Sequence, residues 1–233
     1  MSTNDLGLPP WSRALKCYPS FMGLFSKLVP RKPPSYFWSW VQSPEGQKAI
    51  SALASRSPGS QRAVAKIGDA LRKVHPQLVW GYYPNGGHFP GCLEISADGM
   101  KALIPVVQEV VNTAPQMDNL TVVAFRQPSA GFGLAFSNGS NEVSIDSTLA
   151  VSRERSDGLY DFEVFVPVPA GTPQREVDQL GFMILDHALG EYAVMTKLGG
   201  IACRLGVLAP QGAIPMSEIA KSFAGAAPDA NCG

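Results

Sequence analysis

The apolar residues of this chain change period repeatedly, and the order of those changes limits the fold more than any other feature. Phe37, Trp38, Trp40 and Val41 open a helical segment, and Ser43-Pro44 can cap and start a second one in which Ile50, Leu53 and Ala54 face inward. After the break at Ser57-Pro58-Gly59-Ser60, Val64, Ile67, Leu71 and Val74 recur at spacings of three and four until His75-Pro76 stops the run. Two runs rich in aromatic and branched residues follow, Leu78–Tyr83 and Cys92–Ser96, around the turn chemistry of Pro84-Asn85-Gly86-Gly87, and they predict a β-hairpin. Asp98 is placed to cap a helix reaching Ala114, with Pro105 expected to kink it. Strands are predicted over 120–126, 132–136, 142–151 and 159–167. In the last of these, Phe162, Val164 and Val166 alternate with Asp161, Glu163 and Phe165, as on a strand with one face on a core.

Thr172 and Pro173 then start a long helix that Gly190 ends, and 192–208 read as one or two strands turning at Gly199-Gly200. The order is αα-ββ-α-ββββ-α-β(β). Helices alternate with groups of strands and not with single strands, which predicts an α+β fold: an antiparallel sheet with helices packed on one face.

The flanks differ from this body. Residues 1–35 hold six prolines and read as a Pro-rich extension, within which Met22–Val29 is a short apolar run with one Lys, expected to dock on the domain itself in preference to a membrane surface. Residues 36–208 are expected to form a single domain, and 209–233 an Ala/Gly/Pro-rich tail with a short helical stretch near Met216–Phe223.

Composition narrows the function classes. At 45% apolar and 16% charged residues the chain is globular in character, and its 19 basic and 19 acidic residues give no net charge. Without a basic excess, a nucleic-acid partner is not expected. No apolar run approaches the roughly 20 residues of a membrane-spanning helix, and the first 21 residues lack the order of a secretory leader, so a cytoplasmic setting is expected. Cys17, Cys92, Cys203 and Cys232 make no CxxC pair, and Cys92 and Cys203 read as small buried hydrophobes. Gly131-Phe132-Gly133 lacks the Lys-Ser/Thr ending of a phosphate loop, no Gly-x-Ser-x-Gly elbow occurs, and no cofactor is expected.

The richest cluster of ionisable groups is Leu185-Asp186-His187-Ala188-Leu189-Gly190-Glu191-Tyr192. At 100° per residue, Val177, Leu180, Ile184 and Ala188 share a face, Asp186 points away toward solvent, and His187 falls at the boundary. His187 with Asp186 or Glu191 is the candidate acid–base or metal-binding group, although Gly190 interrupts the spacing that would bring His187 and Glu191 one turn apart. The structural alternative for His187 is a half-buried imidazole whose cation is favoured at a helix C-terminus. For Glu191 and Tyr192 it is bonding to backbone amides and ring packing. A zinc site would need His75, His88 and His187 gathered by the fold.

Two functions follow as expectations. One is a non-enzymatic interaction protein of regulatory or immunity-like character, with Trp38, Trp40, Trp80, Tyr82 and Tyr83 as aromatics that could serve a protein partner. The other is a small hydrolase or metal-dependent enzyme built on His187.

Five segments together resemble an uncharacterised bacterial protein family: Met22–Leu28, Phe37–Trp40, Ser96–Gly99, Ala124–Arg126 and Leu185–Tyr192. The last is the most specific. The resemblance implies no catalytic residue. It does imply a family-like start near Met22, with residues 1–21 an extension or a start codon set too far upstream. Mass spectrometry of the native protein checks this, and abundant peptides from residues 1–21 would exclude the misassigned start.

Overall fold

A computed structural model describes residues 31–55, 59–83, 91–129, 131–136 and 141–223. The expected Met22–Val29 segment, the hairpin tip with His88, and Cys17 and Cys232 lie outside them.

The first half is a helical layer on a small sheet. Helices α1 (Pro34–Gln42), α2 (Pro44–Ala54) and α3 (Ser60–Arg72) precede strands β1 (Val79–Tyr83) and β2 (Cys92–Ser96). A 3-10 turn (Lys101–Leu103), helix α4 (Ile104–Asn112) and strand β3 (Thr121–Ala124) complete it. Ser43 caps α2 as expected, its hydroxyl accepting from the Gly46 amide at 3.2 Å. Phe37, Ile50, Ile67, Leu71, Leu93, Ile95 and Val107 form the first core, while Val64 stays outside it. Trp38 reaches across the core, donating its indole N–H to the Val110 carbonyl at 2.8 Å.

The second half is a hairpin and a four-stranded sheet under helices. It comprises β4 (Gly133–Phe136), β5 (Asn141–Ser144), β6 (Leu149–Glu154), β7 (Tyr160–Val166), α5 (Gln174–Leu189), α6 (Glu191–Lys197), β8 (Leu198–Leu205), a 3-10 turn (Gly206–Leu208), β9 (Ile214–Pro215) and α7 (Met216–Phe223). Phe162, Val164 and Val166 face α5, where Val177, Ile184 and Leu185 complete the second core. Among the described residues, seven helices and mixed sheets make this an α+β fold.

Several local expectations change. The strands of the described residues fall in three sheets, ordered β1-β2-β3, β4-β5 and β8-β7-β6-β9, and not in one antiparallel sheet. The β2/β3 and β7/β8 pairs are parallel, because each is joined by a helical crossover, α4 in one case and α5 with α6 in the other. The strand expected over 142–151 is split by a turn in which the Thr148 hydroxyl donates to the Ser144 carbonyl at 2.8 Å. Asp98 is no helix cap: it is left-handed at φ 51°, and α4 starts at Ile104, so Pro105 sits in its first turn and kinks nothing. Pro173, not Thr172, occupies the cap position of α5 and offers no side-chain bond. Residues 191–197 are helical, and Gly199-Gly200 lie within one continuous strand. Helix α7, placed by sequence in a tail, buries Met216, Ile219 and Phe223 in the second core. Among the described residues no helix is long and apolar enough to cross a membrane.

Candidate functional site

The Leu185–Tyr192 stretch lies where the two cores meet. Gly190 ends α5 at φ 81° and turns the chain directly into α6. Helix α6 serves both cores: Tyr192 and Met195 pack against the first, Ala193 and Val194 against the second. The bend is tight. A Cβ on Gly190 would stand 2.8 Å from Pro128 Cδ and 3.1 Å from the Arg126 carbonyl oxygen.

Glu191 is 2% exposed, and its carboxylate is fully engaged. Oε1 accepts from the Ala97 amide at 3.0 Å and the Gly99 amide at 3.2 Å, and Oε2 accepts from the Arg126 amide at 3.0 Å. The Glu191 amide in turn donates to the Arg126 carbonyl at 2.9 Å. These are the amides beside the two non-glycine residues with positive φ among the described residues, Asp98 (51°) and Phe125 (63°). A left-handed non-glycine residue costs of the order of 1–3 kcal/mol unless its surroundings hold it, and Glu191 holds both. Phe125 is also fixed by its amide, which donates to the Ile95 carbonyl at 2.8 Å, and by its ring, 5.2 Å from that of Tyr192.

Asp186 does not point to solvent. It is buried and paired with the Arg126 guanidinium. Helical phase correctly puts Asp186 off the α5 face that meets the second core, but the space there is filled by the first half of the molecule. Burial raises the Asp186 pKa, with Arg126 pulling the other way. Glu94 on β2, also buried, is the third acid near this guanidinium. Burial raises its pKa too, against the opposing pull of Arg126 and Tyr83. Three buried carboxylates therefore share one arginine, and the backbone amides carry most of the load for Glu191.

His187 is not a helix-end cation. Its ring stacks on Phe132 at 3.5 Å between centroids and 10° between planes. Burial, with Arg126 nearby, depresses its pKa to about 4, so the imidazole is neutral at pH 7. Its carbonyl accepts from the Ser129 amide at 2.8 Å, another link holding the 126–129 segment to α5. Asp186, His187 and Glu191 thus adjoin one joint, but each faces a different partner.

The remaining candidates lie apart. His75 is buried at the end of α3, with its Nδ1 accepting from the Gln77 amide at 3.3 Å. Burial lowers its pKa. His88 lies outside the described residues, and among those described no group of three or more His, Cys, Asp or Glu is placed to hold a metal ion. Cys92 and Cys203 are half-buried, and burial pushes the Cys203 thiol up to about 12, which keeps it protonated. A depression of about 470 Å³ between α5 and β8 is lined by Asp178, Phe182 and Ile201–Arg204, not by the 186–191 groups.

Sequence reasoning missed Arg126 and Glu94 as members of the joint. Their signal was faint: a single arginine closing an apolar strand, and a lone acid inside Cys-Leu-Glu-Ile-Ser. Comparison with family models, curated proteins and solved structures returns no match for this chain.

Proposed function

We propose that this chain is a non-enzymatic interaction protein of the bacterial cytoplasm, regulatory or immunity-like in character. The observation that carries this reading is the commitment of the Leu185–Tyr192 polar groups to the fold. Both Glu191 oxygens hold backbone amides, Asp186 holds Arg126, and His187 is stacked and neutral. A general acid or base needs a group poised to exchange a proton with substrate. An imidazole whose pKa is held near 4 and an acid bonded to three amides are poorly suited to that role.

The resemblance to an uncharacterised bacterial family belongs to the same reading. Three of its segments, Ser96–Gly99, Ala124–Arg126 and Leu185–Tyr192, meet around Glu191. Such a signature would mark a shared joint of the fold rather than a shared chemistry.

The test has two arms. The chain, expressed at its native level, is purified under mild conditions and its complexes are weighed by native mass spectrometry. A stoichiometric protein partner is the expected result. The purified chain is also assayed on ester, phosphate-ester and peptide substrates. Turnover that disappears in His187→Ala while the melting temperature is kept would overturn the proposal.

A further inference from the structure

The zero net charge conceals a division along the chain. Residues 1–73 hold eleven basic and three acidic residues, while residues 74–233 hold eight and sixteen. Three of those later acids, Glu94, Asp186 and Glu191, are buried and offset nothing at the surface. Within the described residues from Arg31 to Lys73 there are seven basic side chains and two acidic ones.

Contacts and helix spacing place these cations across the outer face of α1, α2 and α3. Lys66 on α3 pairs with Glu45 on α2 at 2.5 Å. Lys48 lies one turn from Glu45, and Arg62 one turn from Lys66, so both flank the same interhelical seam. Arg72 pairs with Asp69 at 2.5 Å. Beside it, Lys73 donates to the Tyr36 hydroxyl at 2.9 Å, and the Lys73 and Lys32 ammoniums stand 5.4 Å and 5.9 Å from the centre of that ring. Glu45 and Lys73 also feel one another's charge, which ties the two ends of the patch together. Both acids are thus engaged, and Arg31, Lys32, Lys48, Arg62 and Lys73 are exposed with no ion pair among the described residues.

We propose that the outer face of α1, α2 and α3 is the docking surface for an acidic segment of a partner protein. This rests on the reading of the chain as an interaction protein and names the partner's chemistry. The cations supply the complementary charge. The acids interspersed among them, Glu45 and Asp69, suit a protein partner of mixed charge better than a uniformly charged phosphate backbone. The aromatic rings here offer no platform for nucleobases. Tyr36 lies under two ammoniums, Trp38 is buried, and Trp40 stacks on Phe37 at 6.4 Å. Val64 is the one large apolar side chain strongly exposed on these helices among the described residues, too little for insertion into a lipid surface.

The experiment titrates the full chain into a fluorescent glutamate-rich peptide with interspersed lysines and follows anisotropy, with duplex DNA and phosphatidylserine vesicles titrated in parallel. The expected result is saturable peptide binding that weakens with added salt. The double variant Lys48→Glu/Arg62→Glu, with its melting temperature unchanged, should bind about tenfold more weakly. Arg153→Glu, an exposed reversal on the other half, should bind as the native chain does. Absence of peptide binding, equal binding by the double variant, or tighter binding of DNA or vesicles than of peptide would each overturn the surface assignment. Those outcomes leave a co-purifying stoichiometric partner standing, so failure of this surface is distinguishable from failure of the interaction reading.

Discussion

Glu191 and His187 show at the residue scale how one short segment can carry three ionisable groups that each meet a different partner. Glu191 turns inward to amides, and His187 lies flat on Phe132. The sign of the His187 effect is fixed by its depressed pKa. The folded state favours the neutral ring, so its contribution is present above the ordinary value of 6.5 and is lost as pH falls from there toward about 4. By linkage that contribution is at most about 3 kcal/mol. Glu94 and Asp186 act in the opposite sense. Their raised values add stability in acid that is lost as pH rises through the folded pKa. A stability-versus-pH curve therefore mixes the two. The cleaner measurement is the NMR titration of the His187 ring, expected to show a midpoint near 4, and a midpoint near 6.5 would refute the stacked, buried placement. Little of this was legible in the sequence. The helical phase of Asp186 was read correctly, but which half of the molecule would cover that side depends on contacts some 60 residues apart, such as that with Arg126.

At the scale of elements, the stop at Gly190 was legible because only a residue at ease with positive φ can end α5 there. What followed was not. Glu191–Lys197 mixes helix formers with the β-tolerant Tyr192, Val194 and Thr196, and its packing between two cores decides for the helix. The parallel pairs were missed for a related reason: a helix between strands can cross over a sheet or merely cover it, and local periodicity does not distinguish the two. The Gly190 bend yields its own prediction. Gly190→Ala places a methyl against Pro128 and the Arg126 carbonyl and forces a left-handed alanine. A loss of about 2–3 kcal/mol is expected in denaturant unfolding. A loss below about 0.5 kcal/mol would mean that the bend relaxes freely.

For the whole molecule, two cores share one α+β fold through α6 and the amides that Glu191 binds. The described tryptophans, Trp38, Trp40 and Trp80, all belong to the first core, so in a Trp11→Phe background their emission reports on that half while far-ultraviolet circular dichroism reports on both. Coincident transitions in that background would signify that the halves unfold together. Urea unfolding of Glu191→Gln, followed by both signals, tests the joint most directly. The amide keeps the size of the side chain but removes the charge and sets an N–H₂ against backbone donors. The expected result is a loss of about 2–4 kcal/mol, with the two signals drawing apart as the halves uncouple. Native stability with coincident transitions in Glu191→Gln would contradict the structural role assigned here to Glu191.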